Sequence, residues 1–424
     1  MKITGVETFI VDGVFRPWTF VKIETDSGIV GWGDCTEWQA AYSVAATVGQ
    51  IGENMIGKDP MASEAAWWDN ASFMVRQRGG IAYKAMSGID SALWDIRGKA
   101  LDAPAWQLLG GKMRDELELY WSHCGSDRRR YSTQLEVPYL SNLDDLRALG
   151  EEVISQGFSG IKTNILDLDD MPSLPPKKNG VGEVIAQGFS GIKTNILDLD
   201  DLPSLTPKKN GVGNSGQINY QQVQNAVNVV GTFREVLGPE VGIALDTALS
   251  FRLGGAIKLA RALEPFDMMW LETETWDYGS LRTVRESTTT TICHGESLMG
   301  PEEYRPFFES HAQDVIMPDF AWNGITMGKK ICDLAHVYDV AIAPHNCHSP
   351  MNTLISANVC AVIPNFMTLE FINDDAPWRD DIMTNPFEID NGNLKVPDRP
   401  GLGSDLIESE LKKHPWTGGN NWNR

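Results

Sequence analysis

Five apolar runs in the second half of the chain end on residues able to hold a cation or move a proton. They are Ile243-Ala-Leu-Asp246, Met268-Met-Trp-Leu-Glu272, Thr291-Ile-Cys-His-Gly-Glu296, Val315-Ile-Met-Pro-Asp319 and Val340-Ala-Ile-Ala-Pro-His345. Helical stretches lie between them, such as Leu253 to Leu263 and Gly300 to Ser310. Short apolar runs alternating with helical patterns predict parallel strands joined by crossover helices. If the sheet closes into a barrel, the C-terminal ends of its strands open on one face, where active sites of this architecture sit. Three carboxylates from successive strands, Asp246, Glu272 and Glu296, then converge. Unpaired, they repel and are costly to desolvate, so a hard divalent cation is their natural partner.

The elements that position these residues need a long chain, and 424 residues with 42% hydrophobic content suffice for a large barrel plus a second domain. The net charge of −21 argues against nucleic acid and against an anionic membrane surface as partners. An anionic substrate then needs a local cation, from a metal or a lysine, to offset the acidic field. No run is long and apolar enough to span a bilayer, and the first residues do not read as a signal peptide. The six cysteines are scattered without a Cys-x-x-Cys pair, which predicts reduced thiols in a cytoplasmic protein.

Three segments follow from the patterning. Residues 1–115 read as an α+β cap, with strands over 8–11, 20–24 and 30–34, a turn at Thr25-Asp-Ser-Gly28, and helices over 41–57 and 82–101. Residues 116–372 alternate strand and helix as a modified (β/α)7β-like TIM barrel. Residues 373–424, rich in Pro, Asn and Gly, form a tail predicted to pack back on the cap. Within the barrel segment, residues 152–182 recur almost unchanged as 183–213, giving Lys162-Thr-Asn164 and Lys193-Thr-Asn195. Stacked repeat arrays need three or more units, so this reads as a tandem duplication. One copy can supply a barrel strand while the other loops out, and long surface insertions cost little closure entropy. The sequence leaves open which copy does so, and whether the surplus precedes or follows the strand.

Several ordered motifs now carry a resemblance. They are Lys22-Ile-Glu-Thr-Asp-Ser-Gly-Ile-Val-Gly-Trp-Gly33, Ser87-Gly-Ile-Asp90-Ser-Ala-Leu-Trp94-Asp95-Ile-Arg-Gly-Lys99, Gln107-Leu-Leu-Gly-Gly111, the strand-end residues above, and Pro400-Gly-Leu-Gly403. Together they resemble the mandelate racemase branch of the enolase superfamily, and most of all its galactonate-type sugar-acid dehydratases. The resemblance implies that Asp246, Glu272 and Glu296 bind one Mg²⁺ per subunit; their spacings of 26 and 24 positions each fit one strand–helix unit. It implies that Asp319 and His345 form an orienting dyad with His345 as base, and that Glu370 hydrogen-bonds a substrate carboxylate oxygen. His348 reads as a loop or supporting residue. Lys162 or Lys193 is expected to neutralise the substrate carboxylate, with Asn164 or Asn195 beside it. Arg16, Trp18, Glu37 and Trp38 are expected in cap loops over the site, and Arg128-Arg-Arg130 as a solvated charge run. A homo-oligomer is implied by the resemblance alone.

Three departures shape the function. Many relatives carry Lys-x-Lys where both copies here read Lys-Thr-Asn, as in the galactonate-type Lys-x-Asn pattern, so a base on the opposite face is missing and racemisation is disfavoured. Asp246-Thr-Ala248 has alanine where relatives usually place Asn or His, the His being the acid for the leaving hydroxyl in the galactonate-type enzymes the chain resembles. His345 then serves as base and acid, or His123, Tyr120 or His294 substitutes. Trp270-Leu-Glu272-Thr-Glu274 replaces Glu-Glu-Pro and leaves the ligand in place. The reading is a Mg²⁺-dependent lyase that converts a sugar acid to a 2-keto-3-deoxy acid. Its alternatives are an isomerase, cycloisomerase or racemase using the same enediolate, or a weakly active sugar-acid-binding homologue.

Overall fold

The structure, a computed structural model, describes residues 1–77, 79–166, 168, 218–247 and 251–418. The second repeat copy with Lys193 and Asn195, and also Ala248, lie outside the described residues.

The chain opens with an antiparallel meander of β1 (Ile3–Asp12), β2 (Pro17–Thr25) and β3 (Val30–Asp34). Gly28, at φ 81°, closes the β2–β3 turn in a left-handed conformation that glycine adopts without strain. Helices α1 (Ala41–Met55) and α3 (Gly80–Ala100) pack on the meander through Val21, Ile23, Val44, Val48, Ile51, Ile89 and Leu93, and α2 (Ser63–Phe73) joins the same core through Ala66 and Trp67. The Gly-Trp-Gly of β3 has a steric cause. A Cβ on Gly33 would stand 2.0 Å from the Gly88 carbonyl oxygen, and one on Gly31 2.2 Å from that of Ala92. Only glycine lets α3 lie this close. Asp95 on α3 ties the parts together, accepting from Trp32 N at 2.9 Å, Leu402 N at 2.8 Å and Lys99 Nζ at 2.6 Å.

After the short α4 (Ala105–Leu108), strand and helix alternate. The order is β4 (Glu116–Trp121), α5 (Ser126–Leu135), α6 (Leu143–Ser155), β5 (Gly160–Thr163), α7 (Tyr220–Leu237), β6 (Gly242–Asp246), α8 (Leu253–Leu263), β7 (Trp270–Glu272), α9 (Tyr278–Glu286) and β8 (Ile292–His294). It continues with α10 (Gly300–Glu309), β9 (Val315–Ile316), α11 (Phe320–Val337), β10 (Ala341–Ile342), α12 (Pro350–Cys360) and β11 (Leu369–Phe371). Parallel pairing runs from β10 down to β4 and on to β11, and a bridge from Ile342 to Phe366 completes the ring. The result is the (β/α)7β barrel. Tyr120, Ala244, Trp270, Cys293 and Val315 of the strands pack together with Met317 and Ala343, which follow β9 and β10. A larger core includes Val229, Leu259, Phe307, Ile331 and Ile355 from the surrounding helices.

β5 is built from the first repeat copy, with Lys162 paired to Ala244 of β6, so the second copy follows this strand in the chain. The tail contributes the hairpin β12 (Ile389–Asp390) and β13 (Asn393–Lys395), the latter pairing antiparallel with β4. Pro415 bridges Val11 of the cap. All six cysteines are free and buried. Among the described residues, no helix is long and apolar enough to cross a membrane.

Candidate active site

The C-terminal strand ends collect the chemistry at one mouth of the barrel. Parallel register sets Asp246 of β6 directly beside Glu272 of β7, and Glu272 beside Cys293 of β8, three residues before Glu296. Glu272 is wholly buried. Burial drives its carboxyl well above the ordinary range against the opposing charge of Lys162, and the negative charges of Asp246 and Glu296 push the same way. Burial likewise raises Glu296 to about 7 despite His345, with Glu274 and Asp246 adding to the rise. Burial, with mutual repulsion added to it, disfavours the ionised form of these hard oxygen donors, and a divalent cation bound there would reverse that.

Lys162 stands on the other side of this cluster, its Nζ 2.6 Å from Glu370 Oε1 and 3.2 Å from Glu272 Oε2. Burial opposes its charge, but Glu272 and Glu370 outweigh that and hold the ammonium well above the usual lysine range. Glu370 also accepts from Ser122 Oγ at 2.5 Å and from Asn346 N at 2.7 Å. Although burial favours its neutral form, Lys162 and His345 bring it down to about 2. A carboxylate so engaged is ionised here and accepts from Lys162. Asn164 donates to Asp246 Oδ2 at 3.2 Å, so it steadies a strand-end acid.

On the β9–β10 side, His345 Nδ1 donates to Asp319 Oδ2 at 2.5 Å, which leaves Nε2 3.4 Å from Glu296 and 3.0 Å from Cys347 Sγ. His348 Nε2 donates to the same Asp319 oxygen at 2.6 Å. Burial would raise Asp319, but the two histidines overcome it and keep the carboxylate well below its ordinary range. Burial works against a charge on His345, and the fields of Cys347 and Glu296 with the Asp319 hydrogen bond reverse that, raising it well above its ordinary value. The imidazole is thus fixed in tautomer and made more basic. Trp322 packs against both rings, at 5.6 Å from His345 and 5.2 Å from His348.

Two groups of metal-capable side chains have donor atoms mutually within 4.8 Å among the described residues, Asp319–His345–His348 and His345–Cys347–Glu370. In the first, both histidines already donate to one carboxylate oxygen, which makes it a hydrogen-bond network. The strand-end trio is wider, but its donors are all hard carboxylate oxygens from successive strands, the donor type a hard divalent cation takes. Those residues fit a divalent cation.

The remaining sequence expectations fall differently. Trp18 lies in β2, fully buried in the core near Phe20, and Arg16 is buried with its guanidinium on the His348 carbonyl oxygen and Asp375. Arg16 lies in the β1–β2 connection and Trp18 in the strand that follows, and both are buried by these contacts. Glu37 forms an ion pair with Lys84, whose ammonium sits 3.7 Å above the Trp322 ring. Trp38 packs edge-on to His348. Arg128 is not solvated; it is buried between Glu152 and Asp374, partners too distant in sequence to be foreseen. His123 is brought down to about 3 by burial and by Lys162, so it is neutral beside Ser122. Tyr120 is buried among barrel residues against Trp270, and His294 is packed on Phe307 near Glu274. Cys347, Ser122, Lys84 and Trp322 were missed by sequence reasoning. Only the nearness of Cys347 to His345 in the chain offered a signal.

Glu370 provides a check on this electrostatic picture. Its folded-state value lies below that of an unfolded glutamate, so the stability it contributes is present above pH ~4.3 and is lost as pH falls toward about 2. Acid unfolding followed by circular dichroism is expected to show a shallower loss between pH 4 and 2 in Glu370→Gln, by on the order of 3 kcal/mol. An unchanged slope would mean that Lys162 does not hold this carboxylate.

Comparison with known proteins decides the family. Residues 179–410 match the model for the enolase C-terminal domain-like family, and residues 15–110 that for the mandelate racemase / muconate lactonizing enzyme N-terminal domain. The chain belongs to this enolase-superfamily family. It is therefore an enzyme. A D-xylonate dehydratase of Haloferax volcanii is 30% identical over 422 residues, 97% of this chain and 89% of that protein. A D-galactonate dehydratase family member of Oceanicola granulosus is 30% identical over 429 residues, covering 99% and 96%. A Burkholderia xenovorans crystal structure bound to magnesium and fumarate, named for an L-alanine-DL-glutamate epimerase, superposes with a TM-score of 0.88 at 31% identity, covering 99% and 98%. The barrel match begins at residue 179 and so includes the second repeat copy, whereas the structure forms β5 from the first.

Proposed function

We propose that this member of the family is a Mg²⁺-dependent sugar-acid dehydratase that removes the proton α to a carboxylate and expels the β-hydroxyl, yielding a 2-keto-3-deoxy acid. The observation that carries this reading is the one-sidedness of the proton-transfer groups. His345, with Nδ1 committed to Asp319, presents Nε2 toward the acidic cluster, while β5 offers Asn164, which cannot take a proton. Elimination needs one base; inversion needs groups on both faces of the α-carbon. The likeness to proteins named for D-xylonate and D-galactonate dehydration supports the substrate class.

Asp246, Glu272 and Glu296 would hold the Mg²⁺. When bound, it supplies positive charge beside the substrate carboxylate, which favours the enediolate over the ground state by several kcal/mol. Lys162 adds a second positive charge, held in place by Glu370. His345 takes the α-proton at Nε2 and returns it to the departing hydroxyl, a syn elimination, since Asp319 stabilises the imidazolium between the two steps. The likeness to a protein named for an epimerase favours a second reading, reprotonation at the same carbon, and Asn164 weighs against it.

Incubating the protein with Mg²⁺ and a sugar-acid library, and assaying for 2-keto-3-deoxy product, tests the reading; conversion of no member would sink it. Glu272→Gln is expected to abolish turnover and weaken Mg²⁺ binding in calorimetric titration by more than the roughly 10–100-fold that losing a mere supporting partner of a ligand costs, with the fold retained. Wild-type turnover in that variant would remove Glu272 from the ligand set.

A further inference from the structure

The Ser-Gly-Ile-Asp-Ser-Ala-Leu-Trp motif of α3 has so far been given no task beyond packing. One face of that helix meets the barrel segment that follows β9. Ser87 Oγ donates to Phe320 O at 3.0 Å, and the carboxylate of Asp90 accepts from Thr326 N at 2.8 Å and Thr326 Oγ1 at 2.5 Å. Trp94 Nε1 donates to Thr326 Oγ1 at 2.9 Å, and Lys84 lies over the Trp322 ring. These positions recur every three or four residues, so all four side chains share one stripe.

The segment they hold is unusual. α11 breaks at Gly324, at φ 67° and ψ 174°, leaving a single turn, Phe320–Asn323, ahead of the main helix. One isolated turn does not support itself. The break also strips the first N–H groups of the main helix of intrahelical partners, and Asp90 caps them from another domain of the chain. A Cβ on Gly324 would lie 2.7 Å from Asp90 Oδ2, so kink and carboxylate occupy the space jointly. The single turn matters because Asp319 is its N-cap. Asp319 Oδ1 accepts from Trp322 N at 3.1 Å, which turns Oδ2 toward both His345 and His348.

We propose that Asp90 is a positioning residue for the Asp319–His345 pair: from the cap helix it fixes the kinked start of α11, and through that turn it sets the orientation of the Asp319 carboxylate. Its consequence for turnover rests on reading His345 as the base, but the contact itself can be observed without substrate. In ¹⁵N-histidine-labelled full-length protein, the His345 Nδ1–H resonance is identified by its loss in His345→Asn. In Asp90→Asn this proton is expected to exchange with water at least tenfold faster, whereas Ser91→Ala, on the same helix, leaves it unchanged. Thr326→Val, which deletes one of the two bonds to Asp90, is expected to give a smaller shift in the same direction and serves if Asp90→Asn does not fold. In an active preparation, kcat falls while KM holds. The proposal is overturned if the folded Asp90 or Thr326 variants lose thermal stability while the His345 proton keeps its wild-type exchange rate, since the motif would then be structural only. Absence of dehydratase activity in every protein tested would leave this outcome readable and would count against the function alone.

Discussion

His345→Asn is expected to stop α-proton exchange. Wild-type enzyme incubated with its sugar acid in deuterated water should take the α-proton at His345 Nε2, the ring nitrogen that does not bond Asp319, whose 2.5 Å partner is Nδ1. Asparagine fills similar space but is not basic near neutrality. Loss of a positioned base costs roughly 10²–10⁴-fold, and turnover should fall by that much with little change in Mg²⁺ affinity, because His345 is not among the proposed ligands. Exchange at the normal rate would shift the search for the base to the β5 side.

The second large effect concerns the duplicated lysine. Lys162→Ala removes the ammonium lying between Glu272 and Glu370. Two buried carboxylates then lose their shared cation, which costs about 3–5 kcal/mol when one partner of a buried pair is deleted. The substrate carboxylate loses a charge whose contribution grows as the enediolate forms, so kcat should drop by roughly 10²–10³-fold. Lys193→Ala should leave both melting temperature and turnover close to wild type, since the β5 position is already filled. Steady-state kinetics and thermal melts on the two variants side by side decide this. Full activity in Lys162→Ala, or loss in Lys193→Ala alone, would assign the working strand to the second copy.

Much of the barrel was legible because its strands, though only two to five residues long over β5–β11, end on polar residues that interrupt apolar runs. The acids and histidine at those ends could be ordered from spacing alone. The choice between Lys162 and Lys193 could not, because the copies present identical local sequence and only the preceding helix and the neighbouring strands distinguish them. The cap was read less well. β2 is buried on both faces, so the alternation that marks a half-exposed strand is absent, and Trp18 looked like a loop aromatic. α2, with Ala-Ala-Trp-Trp at its start, shows no clear amphipathic period and was not anticipated. Arg128 read as surface charge since its partners Glu152 and Asp374 come from distant parts of the chain. Glu370 was expected to hydrogen-bond a substrate carboxylate oxygen; only the fold reveals the Lys162, Ser122 and Asn346 donors on its own carboxylate.

The most direct test follows the fate of the α-carbon. With the sugar acid that the library identifies, proton NMR of the reaction in deuterated water should show a 2-keto-3-deoxy acid carrying solvent deuterium at C3. Recovered starting material should contain no C2 epimer. Accumulation of the C2 epimer with deuterium at C2, and no keto acid, would contradict the account and assign the enzyme to epimerisation.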